Sequence, residues 1–349
     1  MKKYIAIILS VMLLGGCGLF GDNVPTSGEQ FAGQAKEDVK SVTISCAGDC
    51  TLGTDAAFGG VTFPVEVKNQ NNDFGWFFRN VKPIFEKDDL TIVNFEGTLT
   101  TRGVRQDKTF AFKGDPEYTA VLTEGSVEAV TLANNHSMDY GIESLEDTRR
   151  YIEEAGIVWF ENLTTRIVEK NGIKIGLIGL YDLNGTAPGY LPKTIDEVKQ
   201  NGAQIIIVQA HWGVEGENYP TKRQKDLAYA AIDAGAHMVI GHHPHVLQGV
   251  EEYKGRVIAY SIGNFCFGGN QNPNDKDSMI IQQTFTFKNG VLTEDKDWGI
   301  YPCSVSSVSS RNNYQPTPLT GDEGERVKNK IKSFSSSLGN LEIKFYEVN

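Results

Sequence analysis

The sequence has no apolar run of the ~20 residues that a membrane-spanning helix needs, and its apolar opening, Tyr4 to Leu14, falls short. It has no surplus of positive charge. Lys and Arg number 33 against 44 Asp and Glu, a formal net charge of −11. An acidic surface argues against nucleic acid as a partner and against docking flat on anionic lipid, and it is compatible with a divalent cation. Cysteine is sparse. Apart from Cys17, the chain has only Cys46, Cys50, Cys266 and Cys303. Cys46 and Cys50 on one extended strand would stand ~13 Å apart, beyond the ~7 Å that a disulfide bridges, so no pairing is expected from the sequence. No internal repeat is present, and the chain is not an array of small units.

The N-terminus carries the order of a secretory signal. Lys2 and Lys3 precede the apolar stretch, and Leu14-Gly15-Gly16-Cys17 places small residues before a cysteine. That ending resembles the bacterial lipoprotein cleavage box, in which the cysteine is lipidated and becomes the first residue. Residues 1–16 are therefore expected to be a signal peptide. Cys17 would be the lipidation site, and the polar, Gly-, Ser-, Gln- and Asp-rich stretch to residue 40 a flexible tether. The expected location is the outer face of the cytoplasmic membrane, held by lipid. Residues 41–349 suit one large folded domain, and 40% hydrophobic with 22% charged residues is ordinary for such a domain.

Within that domain one pattern recurs. A short β-branched apolar run ends abruptly in polar residues. Val42 to Ala47 ends in Gly48-Asp49, and Leu90 to Val93 in Asn94-Phe95-Glu96-Gly97. Val127 to Leu132 ends in Asn134-Asn135-His136, and Ile205 to Ala210 in His211-Trp212-Gly213. His237 to Ile240 ends in Gly241-His242-His243-Pro244-His245, and Val257 to Tyr260 in Ser261-Ile262-Gly263-Asn264-Phe265. Helical spacing lies between these runs, over Trp76–Lys87, Gly141–Ala155, Thr194–Asn201 and Thr221–Ala234, with Gly156 and Gly235 as stops. The alternation predicts an α/β sheet with the polar tips at the carboxyl ends of its strands, where sites gather. Met279 to Phe287 alternates and ends in Asn289-Gly290, a hairpin signal, so the sheets are expected to be mixed. Ser304 to Thr320 reads as loop, and Gly321 to Leu338 as a final helix.

There are six histidines, and five of them sit in these tips. Imidazole with carboxylate is a common donor set for borderline metals. Asp49, Glu96, Asn135, His211, His243 and His245 form the supply. An extended His243-Pro244-His245 would aim both imidazoles the same way and His242 the other way, behind the ligands. His237 reads as structural and Trp212 as packing. Asn94 and Asn134 fit either a substrate contact or a turn closure. Glu215 fits either an orienting partner of His211 or a surface charge, and Asn264 belongs to the floor of the site.

Taken in order, these tips resemble the motifs of the CapA/PgsA family, the poly-γ-glutamate capsule biosynthesis family, from about Val42 to Phe267. That family is similar to the calcineurin-like metallophosphoesterases. The resemblance implies a four-layer α/β/β/α sandwich with mixed sheets and one or two divalent ions, with Mn, Fe and Zn all chemically suitable. It implies Asp49 on one metal and Glu96 in the bridging place. Asn135, His211, His243 and His245 complete the ligands, and His136 gives a proton to a leaving group. It also implies integral membrane partners in a polymer-synthesis complex. One position departs from the pattern: Thr51 stands where a histidine ligand is usual. A metal-dependent phosphoesterase unrelated to capsule and a non-catalytic subunit of the polymer machine are the alternative functions.

Overall fold

The computed structural model describes residues 37–348 apart from 163, 186–188 and 294–296. The signal segment, Cys17 and most of the tether lie outside the described residues. From residue 38 onward the chain forms one unit built on two large sheets, with a small third one of Thr54–Asp55, Phe112–Gly114 and Thr98–Leu99.

The first sheet runs Thr317–Pro318, Trp298–Ser304, Asp277–Lys288, Val39–Thr51, Leu90–Phe95, Ala129–Thr131, Val158–Phe160. Val39–Thr51 is its hinge of direction, parallel to Leu90–Phe95 and antiparallel to Asp277–Lys288. The second sheet runs Val250–Tyr253, Arg256–Ala259, Met238–His242, Ile205–Trp212, Ile173–Asp182, Arg166–Lys170, parallel at its centre and antiparallel at both edges.

Alternation of side chains along the strands creates the layers. Ile205 and Ile207 point at the other sheet, where they meet Ile44, Ile92, Met279 and Ile281. Ile206, Val208 and Ala210 point outward and are covered by Leu191, Ile195, Leu227 and Ala231 of two helices. On the far side Val93, Phe95 and Val130 are covered by Phe63, Val121, Leu122 and Ile152. The result is α/β/β/α, as expected, and strands buried on both faces explain the unbroken apolar runs.

Local signals set most boundaries. Helix Lys222–Ala234 opens on a capping box between Thr221 and Gln224 and stops at left-handed Gly235. Asn289 and Gly290 take φ of 50° and 79° and return the chain so that Phe287 faces Leu292. The final helix is Gly321–Ser335 and stops short of Leu338. The expected helix over Trp76–Lys87 does not form as one piece. A 3-10 turn at Phe74–Trp76, capped by Asp73, is followed by a short helix Lys82–Phe85. Pro83 has no N–H to continue a helix from Arg79. The apolar residues of this stretch, Phe77, Phe78, Val81, Ile84 and Phe85, are nevertheless buried.

Cys46, Cys50, Cys266 and Cys303 are buried free thiols. No described helix is long and apolar enough to cross a membrane.

His237, just before Met238–His242, is structural. Its Nδ1 accepts a hydrogen bond from the Ile206 N–H at 3.0 Å, and burial pushes its pKa down to about 3. Histidine in the unfolded chain titrates near ~6.5. Between those values the unfolded chain binds a proton that the folded one refuses, so stability falls as pH drops from ~6.5 toward about 3. His237→Gln keeps an acceptor without the titration. Denaturant unfolding at pH 7 and pH 5 should show a smaller stability loss for this variant than for the natural chain.

Candidate metal centre

The parallel strands end at one common edge, and each delivers a side chain there. A register shift in Val39–Thr51 at Gly48 re-aims Asp49 toward the second sheet. Gly48 is needed because a Cβ there would lie 2.0 Å from the Gly263 carbonyl oxygen. The Asp49 N–H donates to that same oxygen at 3.1 Å. Glu96 follows Leu90–Phe95, and its N–H is fixed on the Cys50 carbonyl at 2.8 Å. Asn134 knots the neighbouring tip. It donates to Asn94 Oδ1 at 3.0 Å and the Phe95 carbonyl at 2.8 Å, and its own Oδ1 accepts from the His136 N–H at 3.0 Å.

The segment after Met238–His242 differs from expectation. His243 and His245 have φ of 93° and 58°, so the chain is not extended there. Alternation along a strand therefore does not explain why the two imidazoles meet. Two left-handed residues fold the segment back over the strand ends and leave the rings 5.7 Å apart. Such backbone is costly for a residue with a Cβ and is found where a site fixes it. His242 does sit behind the ligands, with Nδ1 3.0 Å from Asp49 Oδ1 and Nε2 2.7 Å from Gln209 Oε1.

Glu96 is the centre of the arrangement. Its Oε1 lies 3.8 Å from Nε2 of His211 and of His245, and 3.9 Å from Nε2 of His136. Both its carboxylate oxygens are buried without a hydrogen-bond partner, and so is Nδ1 of His243. Donor atoms of Glu96, His211 and His243 converge within 4.8 Å, and so do those of Asp49, Glu96 and His245. Asn135 Oδ1 stands 2.7 Å from His211 Nε2, beside the first group. The sequence-derived ligands are thus all brought together, with Glu96 shared by two groups. Orphaned buried oxygens beside neutral imidazoles fit a borderline divalent ion, which would supply the missing partners.

Charge follows the same geometry. Burial pushes the Glu96 carboxyl well above its usual range, against the pull of His245. Burial would also raise Asp49, but hydrogen bonds from His242 and His245 outweigh it and hold that carboxyl well below. Burial pushes His211 well down and His243 down to about 4, so both offer lone pairs at neutral pH. His245 goes the other way. Burial opposes its charge, yet Glu96 and Asp49 raise it to about 10. The two carboxylates draw a proton onto His245, and a cation bound between them would answer the same demand and release it.

Asp139 and Lys108 were not legible in the sequence. Asp139 Oδ2 is 2.6 Å from His136 Nδ1, and Lys108 donates to Asp139 at 2.7 Å and to the Asn135 carbonyl at 2.8 Å. Together they aim His136 Nε2 at Glu96. Asn94 donates to Asp49 at 2.8 Å, so it holds a ligand. Asn264 Oδ1 faces His245 Nδ1 at 2.8 Å. Gln209, a lone amide in an apolar strand, was the one available signal for the support of His242. Glu215 does not orient His211; it is exposed and stands by His243 and His245. Over the site lies a cleft of about 470 Å³ whose wall includes Phe110, Phe112 and Phe267.

Glu96→Gln keeps the shape but removes the shared anion. Metal at about 100 times its Kd should stabilise the natural chain by about 2.7 kcal/mol. Thermal melts with chelator and with Mn should show that gain in the natural chain and none in Glu96→Gln.

Comparison with known proteins bears on the part of the domain that carries the centre. The family model described as bacterial capsule synthesis protein PGA_cap matches residues 43–269. The PGA biosynthesis protein CapA of Bacillus subtilis is 35% identical over 229 residues, 59% of this chain and 60% of its own length. The chain thus spans 60% of that relative. The capsule biosynthesis protein CapA of Bacillus anthracis is 28% identical over 310 residues, 80% of this chain and 72% of its own. Among solved structures, a hypothetical protein from Thermus thermophilus superposes with a TM-score of 0.46 and 16% identity, covering 74% of this chain and 98% of that one. With its matched segment covering the second sheet, the parallel part of the first and every residue of the candidate centre, this chain belongs to the bacterial capsule synthesis protein family, PGA_cap.

Proposed function

We propose that this chain works at the outer face of the cytoplasmic membrane in the synthesis or export of a poly-γ-glutamate polymer, through a centre that binds one or two divalent metal ions. In this reading residues 1–16 are removed, Cys17 carries the lipid, residues 17–40 are the tether and residues 41–349 the working domain. Integral membrane subunits of the polymer machine are its partners. The names of its relatives, PGA biosynthesis protein and capsule biosynthesis protein, support the polymer. The observation that carries the metal is the Glu96 carboxylate, buried, unpartnered and common to two converging donor groups.

Asp49, Glu96 and His245 would hold one ion, and Glu96, Asn135, His211 and His243 the other. When bound, such ions supply Lewis acidity to an oxygen of a phosphoryl or acyl group. The chain's own residues do the rest. His242 and Asn94 lock the Asp49 carboxylate by hydrogen bonds of 3.0 and 2.8 Å. His136, aimed by Asp139, delivers a proton from Nε2 to the departing oxygen. Phe112, with its ring 4.5 Å from that of His136, keeps water from that side.

Elemental analysis of the natural chain beside His243→Ala/His245→Ala tests the centre. About two ions per natural chain, lost in the variant, are expected for a two-metal site. A natural chain that takes up no ion under any loading condition removes the metal from the reading. Polymer yield in cells carrying His136→Ala then separates chemistry from scaffolding. A fall of tenfold or more is expected. Full yield with His136→Ala, but none with His243→Ala/His245→Ala, would make the domain a metal-stabilised, non-catalytic subunit. Turnover of a chromogenic phosphodiester that is metal-dependent, with normal polymer in all variants, would point to a phosphoesterase unrelated to capsule.

A further inference from the structure

We infer that Glu215 is a metal ligand, and that it gives the Asp49–Glu96–His245 position the further protein donor that Thr51 does not provide. The inference rests on the metal-centre reading above. Of the two positions, the one formed by Glu96, His211 and His243 has Asn135 beside it, 2.7 Å from His211. In the one formed by Asp49, Glu96 and His245 the neighbouring amide, Asn264, faces His245 Nδ1 at 2.8 Å, whereas it is Nε2 that lies 3.8 Å from Glu96. Thr51, next but one to Asp49, is fully buried, and its hydroxyl is spent on the Glu96 carbonyl at 2.6 Å. A hydroxyl is a poor substitute for imidazole on a borderline metal.

The compensating group comes from another loop. A carboxylate oxygen of Glu215 lies within 4.8 Å of ligand atoms of both His243 and His245. That approach is built rather than incidental. Gly213 and Gly216, with φ of 84° and 77°, curl the loop, and the Gly216 N–H donates to the Pro244 carbonyl at 2.9 Å. Gln248 clasps the Glu217 carbonyl at 2.7 Å. The loop is therefore pinned just after Glu215, by Gly216 to the turn that carries the two histidines and by Glu217 to Gln248 beyond it. Among the described residues the Glu215 carboxylate itself has neither hydrogen bond nor ion pair. An independent pointer to a cation in the adjoining donor group, which shares His245, is Glu96, fully buried with both oxygens unpartnered.

The choice between positions follows from donor supply. Zinc in protein sites is typically held by about four ligands, and a catalytic ion keeps one place open. The position with Asn135 is already served. The position with His245 is short of a donor and is the one on the solvent side, since His245 is 20% exposed where His211 is 1%. An exposed carboxylate on a glycine-flanked loop can also leave the ion when a substrate oxygen arrives. A backbone-locked histidine at residue 51 could not.

The test uses the full chain, purified in detergent and loaded separately with Mn and Zn. Elemental analysis and titration calorimetry are run on the natural chain, Glu215→Gln and Glu215→Ala, with circular dichroism as the control for folding. Because the side chain is exposed, both variants should fold. The natural chain should hold two ions, and both variants should hold one, with affinity for the other weakened tenfold or more. Two ions in the variants, with affinities within twofold of the natural chain, would overturn the inference while leaving the metal centre standing. Fewer than two ions in the natural chain would overturn it as well, and none at all would take the metal-centre reading with it.

Discussion

Everything at the functional edge of this protein is arranged around one buried carboxylate. Glu96 is fully inaccessible, and neither of its oxygens has a partner. Leaving such atoms unsatisfied costs about 1–3 kcal/mol each, and more if they are charged. A fold does not accumulate that cost around a random residue. Here the carboxylate is ringed by imidazoles at 3.8–3.9 Å, too far for hydrogen bonds and suited to sharing an ion. The second carboxylate, Asp49, is treated in the opposite way, held by Asn94 and His242 and kept ionised. One acid is left open and the other is locked in direction.

The sandwich exists to make this possible. Asp49 and Glu96 belong to the first sheet, His211 and His242–His245 to the second, and the two sheets are clamped by the shared core of Ile44, Ile92, Ile207 and Ile240. Small shifts of one sheet against the other would move the carboxylates relative to the imidazoles. Close packing between them therefore sets the geometry of the centre. Polar threads cross the same interface, through Gln209 between Cys46 and His242 and through Asn94 between Asp49 and His211.

The histidines show how one residue type is given different work by its surroundings. His237 accepts from a backbone N–H and stays neutral as part of the fold. His211 and His243 are kept neutral by burial, and His245 is charged by the carboxylates it faces. His136 is held at Nδ1 by Asp139, which leaves Nε2 free to act.

The sequence by itself determined the class of fold, the strand tips and the residues that meet at them. Those rest on local regularities: β-branched runs, capping residues such as Thr221 and Gly235, the Asn289-Gly290 turn, and histidines packed into a few short motifs. The family resemblance its motifs carry also marked Thr51 as out of pattern and put Glu96 forward for the bridging place. Only the tertiary structure decided how His243 and His245 meet, because their left-handed backbone is imposed by the turn over the strand ends and not by the residues themselves. Likewise the roles of Asp139, Lys108, Gln209 and Glu215 depend on contacts between loops far apart in the chain. A carboxylate or amide in isolation carries no mark of what it will face, and that is fixed only when two sheets bring their ends to a common edge.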